Sequence, residues 1–192
     1  MVSRLFGLII TFTLVPAAIA AAQSIVPPSV PAGLEPPSEV QPFLMAHAEG
    51  TQNYTCLSSS SGFTWSFFGP QATLFDEANQ QVITHYLSPN PVEGGTPRAT
   101  WQHSADTSAN WAAAIASSTD PAYVASGAIP WLLLQVKGSD TGPTGGATLA
   151  GTLFIQRVNT QGGLAPATGC KSAKDVGKKA LVPYSTDYVF YR

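Results

Sequence analysis

Short stretches in which apolar and polar residues alternate follow one another along most of the chain. The stretches Phe63–Phe68 and Val82–Tyr86 keep a period of two, and the turn dipeptide Gly69-Pro70 ends the first of them. Because successive side chains of a strand point to opposite faces of a sheet, this period predicts strands that each bury one face. The pattern therefore favours a chain built from many short β-strands.

The stretch Gly151–Cys170 has the clearest internal order. It predicts a strand over Gly151–Asn159, a turn at Gly162-Gly163 and a proline-containing return that ends at a cysteine. This segment is expected to tie the end of the domain to its beginning.

Two further segments complete the predicted strands. Ile129–Lys137 is the most apolar run after the N-terminus, and we interpret it as a strand buried on both faces near its start. Asp106–Ser118 is rich in alanine but has no apolar stripe with the period of a helix, so we interpret it as a strand anchored by Trp111. About nine strands separated by turn signals predict an all-β fold, either an antiparallel β-sandwich or a barrel.

The N-terminal residues follow a different pattern. Arg4 makes the start basic, Leu5–Val15 is apolar, and small residues follow up to Ala22, which together predict a secretory signal peptide over residues 1–22. A membrane anchor is the alternative, and Pro16 with the missing basic flank disfavours it. Residues 23–42 form a proline-rich leader, laid over the domain or flexible, and residues 43–192 form a single β domain.

Charge and composition exclude several kinds of partner. The net charge is −2 and only 10% of residues are charged, so the protein has no basic surface for nucleic acid or for an anionic membrane. No second apolar stretch is long enough to span a bilayer. We therefore expect a secreted protein with no nucleic-acid partner and no membrane association once the signal peptide is removed.

Cysteine usage and one sequon agree with secretion. The chain has two cysteines, and in an oxidising compartment they most simply form one disulfide, Cys56–Cys170. A free catalytic thiol is the alternative. Asn53-Tyr54-Thr55 is an N-glycosylation sequon, and the strand alternation places Asn53 outward, where a glycan is accommodated.

Tryptophan is the first source of a candidate binding surface. Trp101 is flanked by Thr100, Gln102 and His103, which predicts an exposed ring on which a sugar stacks. Trp65 and Trp131 lie in apolar strands and are expected in the core.

A second candidate centres on Arg157, the one charged residue in the middle of a strong strand. Asp187, in the last strand, is its natural partner. Buried charges are usually paired, so a structural ion pair that joins two strands is one reading. The other is an arginine at the floor of a ligand cleft beside Gln156.

Catalytic and metal motifs are scarce. His47, His85 and His103 lack the spacing of metal ligands, and no nucleophile elbow occurs, so we expect neither a metal nor a cofactor. The remaining enzymatic hypothesis is a secreted hydrolase that acts on polysaccharide, with Asp187 and either His85 or His103 involved.

Several ordered motifs carry a family resemblance. They are YTC (Tyr54–Cys56), W-x-F with a following GP (Trp65–Pro70), TW (Thr100-Trp101), IPWLLL (Ile129–Leu134), IQRVNTQGGLAP (Ile155–Pro166), Cys170 and VPYSTDYVFYR (Val182–Arg192). Over roughly residues 30–192 the chain resembles a family of small secreted fungal and bacterial proteins known only as a domain of unknown function. The resemblance implies a fold class and an extracellular location but no activity.

Some fungal members of that family are labelled malate dehydrogenase. A nicotinamide site needs a G-x-G-x-x-G turn between a strand and a helix, and the glycine-rich stretch Gly142–Gly146 lacks that spacing. An NAD-dependent malate dehydrogenase is therefore disfavoured. We expect an extracellular or wall-associated binding protein whose partner is a cell-wall polysaccharide or an extracellular protein, with the hydrolase as the alternative.

Overall fold

Eight antiparallel strands close into a barrel in a computed structural model of the protein, which describes residues 24–192. The strands are β1 (Pro42–Ser59), β2 (Gly62–Phe75), β3 (Gln81–Asn90), β4 (Thr96–His103), β5 (Ala109–Ser118), β6 (Trp131–Asp140), β7 (Phe154–Gly162) and β8 (Lys179–Tyr191). One-turn 3₁₀ helices occupy Pro91–Glu93 and Ala173–Asp175. The all-β prediction is confirmed, and the architecture is the barrel.

Each strand pairs with the next along the chain, and β8 pairs with β1 to close the sheet. This order needs no crossover connections, which agrees with the short turn-rich segments between the strands. The predicted signal peptide lies outside the described residues. In residues 24–192 no helix has the length and apolar character needed to cross a membrane.

The barrel has one strand fewer than expected because Gly69-Pro70 does not end a strand. The β1–β2 register shifts there, so that Asn53 lies opposite Gly69 while Tyr54 lies opposite Phe67. Phe68 is the extra residue of a β-bulge, and Gly69 has φ 152°, a conformation that favours glycine. A proline is tolerated beside a bulge because the hydrogen-bond ladder is already interrupted. The predicted strand Phe63–Phe68 and the residues after Gly69-Pro70 therefore form one bent strand.

Apolar side chains fill one half of the barrel interior. The fully buried members include Ala48, Leu74, Ile83, Leu149, Ile155 and Phe190. They lie at the end of the barrel where β1 begins and β8 ends. The other half of the interior is less completely filled.

Gly50 allows β1 and β2 to approach closely. A Cβ atom at this position would overlap the backbone of Gln71 and Ala72. We expect Gly50→Ala to lower the free energy of unfolding by about 1–3 kcal/mol, because the strands must separate to relieve the overlap. Urea unfolding measures this change. Glu49→Ala, on the exposed outer face of the same strand, is the control and should change stability by no more than about 0.5 kcal/mol. Equal stability of Gly50→Ala and the wild type would contradict the close approach.

A second apolar cluster lies outside the barrel, under the proline-rich leader. Leu34 and Val40 of the leader pack with Trp131, Val158 and Val189 on the outer faces of the strands. The backbones of residues 41 and 192 exchange two hydrogen bonds, of 2.9 and 3.1 Å. Residues 24–41 are thus laid over the domain and are not a free tail.

The disulfide Cys56–Cys170 is confirmed. It joins β1 to the long connection between β7 and β8, and the two cysteines are 114 positions apart in the sequence. Backbone hydrogen bonds from Cys56 to Lys178 and from Gly177 to Cys56 hold the same connection against β1. The bridge therefore attaches the longest connection between consecutive strands to β1.

Candidate ligand-binding cavity

The less filled half of the barrel contains a cavity of about 220 Å³. All eight strands contribute to its lining, mostly with apolar side chains such as Leu87, Ala112 and Leu134. Eight-stranded barrels are just wide enough either to be filled by side chains or to hold one small ligand. Here the small residues Ala99, Ala112 and Ala114 leave the space that larger side chains would fill.

The cavity opens at the end of the barrel where β2 begins and β3 ends. Phe67, Leu87 and Ala114 line it there and are exposed, Phe67 by 52% and Leu87 by 41%. At its inner end it is lined by His85, Trp101 and Tyr188, which are nearly or fully buried. The site is therefore a pocket with an apolar rim and an aromatic floor.

The floor consists of three interacting rings. His85 stacks on Trp101 with ring centroids 4.2 Å apart and an angle of 16° between the ring planes. Tyr188 meets both rings edge to face, at 5.1 Å from His85 and 5.3 Å from Trp101. These contacts fix all three side chains, since aromatic pairs favour offset-stacked and edge-to-face arrangements. The floor is preorganised.

His85 is neutral at physiological pH. Burial lowers the pKa of its imidazole to about 3, and the charge of Arg157 acts in the same direction, against the effect of a hydrogen bond to Thr100. The Nδ1–H group donates that bond to the Thr100 carbonyl oxygen at 2.8 Å. Because one nitrogen of a neutral imidazole is a donor, Nε2 is left as an acceptor.

Arg157 brings a positive charge to the wall of the cavity. Its Nε and Nη2 groups donate to the Pro130 carbonyl oxygen at 3.2 and 2.8 Å. None of the ion pairs within residues 24–192 involves Arg157. Its charge acts to lower the pKa of Tyr184 and Tyr188, while their burial, the larger effect, raises it. The phenols are therefore neutral, and the guanidinium charge is not balanced by a carboxylate.

Trp101 adds a donor without a partner. The residue is fully buried, and its Nε1–H has no hydrogen-bond partner in the part of the chain that the structure describes. A buried unsatisfied donor costs about 1–3 kcal/mol, so natural proteins keep few of them. Trp101 therefore combines a buried polar group with a place in the lining of the cavity.

A larger groove, of about 650 Å³, lies between residues 24–26 of the leader and the β2–β3 turn. It is open to solvent, and none of its lining residues is buried. The Asp76 carboxylate in its lining accepts hydrogen bonds from the backbone of Ala78 and Gln80 and so belongs to the turn itself. We therefore place the candidate site inside the barrel.

The predicted exposed ring of Trp101 is wrong. The side chain is 0% exposed and lies inside the barrel. The polar neighbours that suggested exposure belong mostly to the opposite face of β4, because adjacent residues of a strand point to opposite sides. Trp101 remains a binding candidate, but within a cavity and not on a flat sugar-stacking platform.

The predicted pairing of Arg157 with Asp187 is also wrong. Arg157 lies opposite Tyr188 in the β7–β8 register, while Asp187 lies opposite Val158 and points outward. The Asp187 carboxylate instead contacts His47 Nδ1 at 2.9 Å and accepts a hydrogen bond from Asn159 Nδ2 at 2.8 Å. This cluster is at the outer surface.

Gln156 and His103 lie away from the cavity. Gln156 is buried on the outer face, where it donates to the Leu34 carbonyl oxygen at 2.6 Å and accepts from the Tyr191 hydroxyl. It therefore fastens the leader to the barrel. His103, at the end of β4, lies 3.0 Å from the Asp106 carboxylate.

Asp106 organises a turn. Burial opposes ionisation, but hydrogen bonds from Thr148 and Ser108 hold the pKa of the Asp106 carboxyl well below its usual range. The residue therefore joins the β4–β5 turn to the connection between β6 and β7.

The residues of the hydrolase hypothesis do not converge. His85 is inside the barrel, Asp187 is on its outer surface, and His103 is at the end of β4 beside Asp106. Residues 24–192 contain no group of three or more His, Cys, Asp or Glu side chains placed to hold a metal ion.

Sequence reasoning did not assign Gln52 or Tyr188 to a site, and it considered His85 only as a metal ligand or for catalysis. All three line the cavity. The signal that could have found them is the alternation of inward and outward side chains along each strand. Polar or large aromatic residues at inward positions of several strands must share one interior.

Asn53 is half-buried beside Thr51, whose hydroxyl donates to the Asn53 side chain at 2.7 Å. Glycosylation of Asn53 stays a prediction.

The fold and the cavity define a closed eight-stranded antiparallel barrel with an internal, partly polar pocket. The model of a family described as "Protein of unknown function (DUF3455)" matches residues 36–192, and the chain belongs to this family. No curated protein matches the chain. No solved structure matches it either.

Proposed function

We propose that this protein is an extracellular binding protein that holds one small molecule inside its barrel. The observation that carries the proposal is the pocket of about 220 Å³ that ends on the fixed aromatic floor of His85, Trp101 and Tyr188. Binding pockets typically combine an apolar lining with a few fixed polar groups that orient the ligand. His85 and Arg157 supply those groups here.

Location outside the cell is part of the proposal. The basic start, apolar run and small residues before Ala22 have the layout of a signal peptide. The disulfide supports an oxidising compartment, where such bonds persist. Association with the cell wall remains a hypothesis, and a soluble extracellular ligand fits the pocket better than a polymer does.

The size of the pocket limits the ligand. About 220 Å³ is the share of liquid volume of roughly seven water molecules, and a dry cavity of about 150 Å³ holds benzene. A ligand with one ring or a short chain fits, and a polysaccharide chain does not enter. The pocket therefore favours a monomeric, partly apolar compound.

The proposal is tested by filling the rim of the pocket. Ala114 lines the cavity and is exposed, so Ala114→Phe should block entry without disturbing the buried core. We expect benzyl alcohol to shift the Trp101 indole N–H signal in ¹⁵N NMR spectra of the wild type, with the signal assigned from Trp101→Phe. The affinity of the Ala114→Phe variant for benzyl alcohol should be at least tenfold lower than that of the wild type.

Ile115→Phe is the matched control. Ile115 is the next residue of β5, is 52% exposed and does not line the cavity, so its substitution should leave the affinity unchanged. Equal weakening in both variants, or shifts confined to residues outside the barrel, would overturn the proposal.

A further inference from the structure

We propose that the pocket selects a small monocarboxylate, whose carboxylate pairs with Arg157 while its apolar body contacts the aromatic floor. This inference rests on the proposed function, because it names the chemical class of the molecule that the barrel would hold. It begins from one juxtaposition, a guanidinium beside a cavity whose other lining residues are uncharged and mostly apolar or aromatic.

The charge of the pocket is the first step. The ionisable side chains that sense the Arg157 charge are Tyr54, His85, Tyr184 and Tyr188. Burial raises the pKa of each of the three phenols and lowers the pKa of the imidazole, so that all four groups are neutral near pH 7. The pocket therefore carries a net positive charge, and an anion is the ligand that balances it.

The hydrogen-bonding capacity of Arg157 is the second step. The Pro130 carbonyl oxygen accepts from Nε and Nη2, which uses two of the five N–H donors of the guanidinium. A carboxylate matches the planar fork of an arginine with two parallel hydrogen bonds. A partly buried guanidinium that has only neutral groups around it gains more from such a ligand than an exposed one does, because the local dielectric constant is lower.

The third step is the shape of the remaining space. Trp101, His85 and Tyr188 present aromatic surfaces at the inner end, and Leu134 and Ala112 line the wall. These groups favour an apolar body, and one ring is the largest that the volume accepts. A small cation is disfavoured by Arg157, and a sugar would leave most of its hydroxyl groups without partners against the apolar wall.

The test compares benzoate, benzyl alcohol and benzylammonium, which share one ring and differ in charge. We expect benzoate to bind the wild-type protein at pH 7 at least tenfold more tightly than benzyl alcohol, and benzylammonium to bind most weakly. In Arg157→Gln the affinity for benzoate should fall at least tenfold, while that for benzyl alcohol stays within threefold. Arg157→Lys should retain an intermediate preference, since it keeps the charge but loses the fork.

Lys179→Gln is the control for net charge. Lys179 is exposed and does not line the cavity, so its removal should leave the affinity for benzoate unchanged. Binding of benzyl alcohol to Arg157→Gln shows that this variant is folded. If Arg157→Gln binds neither compound, Arg157→Lys decides, because a preference for benzoate in that variant supports the inference and its absence overturns it.

Equal affinity of the wild type for benzoate and benzyl alcohol would overturn the carboxylate inference and leave the proposed function standing. Binding of neither compound at millimolar concentration would overturn both. The same would follow if benzoate bound with NMR shifts only outside the barrel.

Discussion

Replacing Cys56 and Cys170 together by alanine is expected to lower the free energy of unfolding by about 4–5 kcal/mol. The bridge closes a loop of 114 residues, so its removal greatly enlarges the conformational freedom of the unfolded chain. In the folded state it ties the connection between β7 and β8 to β1. Few domains of this size have a total stability above about 15 kcal/mol, and the loss is therefore a large fraction of it.

Urea unfolding of the oxidised wild type and the double variant measures the loss. Reduced wild-type protein is the matched control and should reproduce the stability of the variant, while the variant should not respond to reductant. The slope of the unfolding free energy against urea should increase in the variant, because an unbridged unfolded chain exposes more surface. A loss below about 1 kcal/mol would show that the bridge does not stabilise the fold through the unfolded chain.

The strands were largely predictable because their physical signal is local. Alternation with a period of two identified the β class, and the interpretation of Asp106–Ser118 as a strand is confirmed by β5. The closure of the barrel was not predictable, since a sandwich and a barrel share the same alternation. The bulge at Gly69 was missed because a glycine-proline pair in an extended strand has the same local appearance as a turn.

The candidate site was harder to predict because it depends on which face of each strand points inward. The polar neighbours of Trp101 predicted a surface position, but two of them, Thr100 and Gln102, lie on the other face of β4. Arg157 and Asp187 were paired because both interrupt apolar strands, but the register of β7 and β8 places them on opposite faces. That register depends on long-range pairing and on an irregularity near Asn159. The sequence does not predict the φ of 54° that Asn159 adopts there.

Lowering the pH from 7 to 4.5 is expected to reduce the stability of the protein through His85. Burial lowers the pKa of this side chain to about 3 in the folded state, against about 6.5 in the unfolded chain. Between these values the unfolded chain binds a proton at His85 and the folded protein does not, so stability is complete above about pH 6.5 and falls as the pH decreases. At about 1.4 kcal/mol per pH unit, the loss at pH 4.5 is about 2–3 kcal/mol.

Chemical unfolding of the wild type and His85→Phe at several pH values between 7 and 4.5 tests whether His85 causes this loss of stability. The variant keeps an aromatic ring against Trp101 but cannot bind a proton, and it loses the hydrogen bond to Thr100. We expect it to be about 1–2 kcal/mol less stable than the wild type at pH 7 and nearly insensitive to pH in this window. The two proteins should therefore have similar stability near pH 4.5.

The pH window separates His85 from the carboxylates. Hydrogen bonds from Arg98 and Asn90 lower the pKa of Glu93 to about 2, and Asp106 is also held below its usual range, so their stabilising effect is lost mainly below about pH 4. A slope that persists unchanged in His85→Phe would assign the pH dependence to other groups. A slope that disappears would show that the barrel holds a neutral imidazole at its floor, which leaves Arg157 as the charge that a ligand meets.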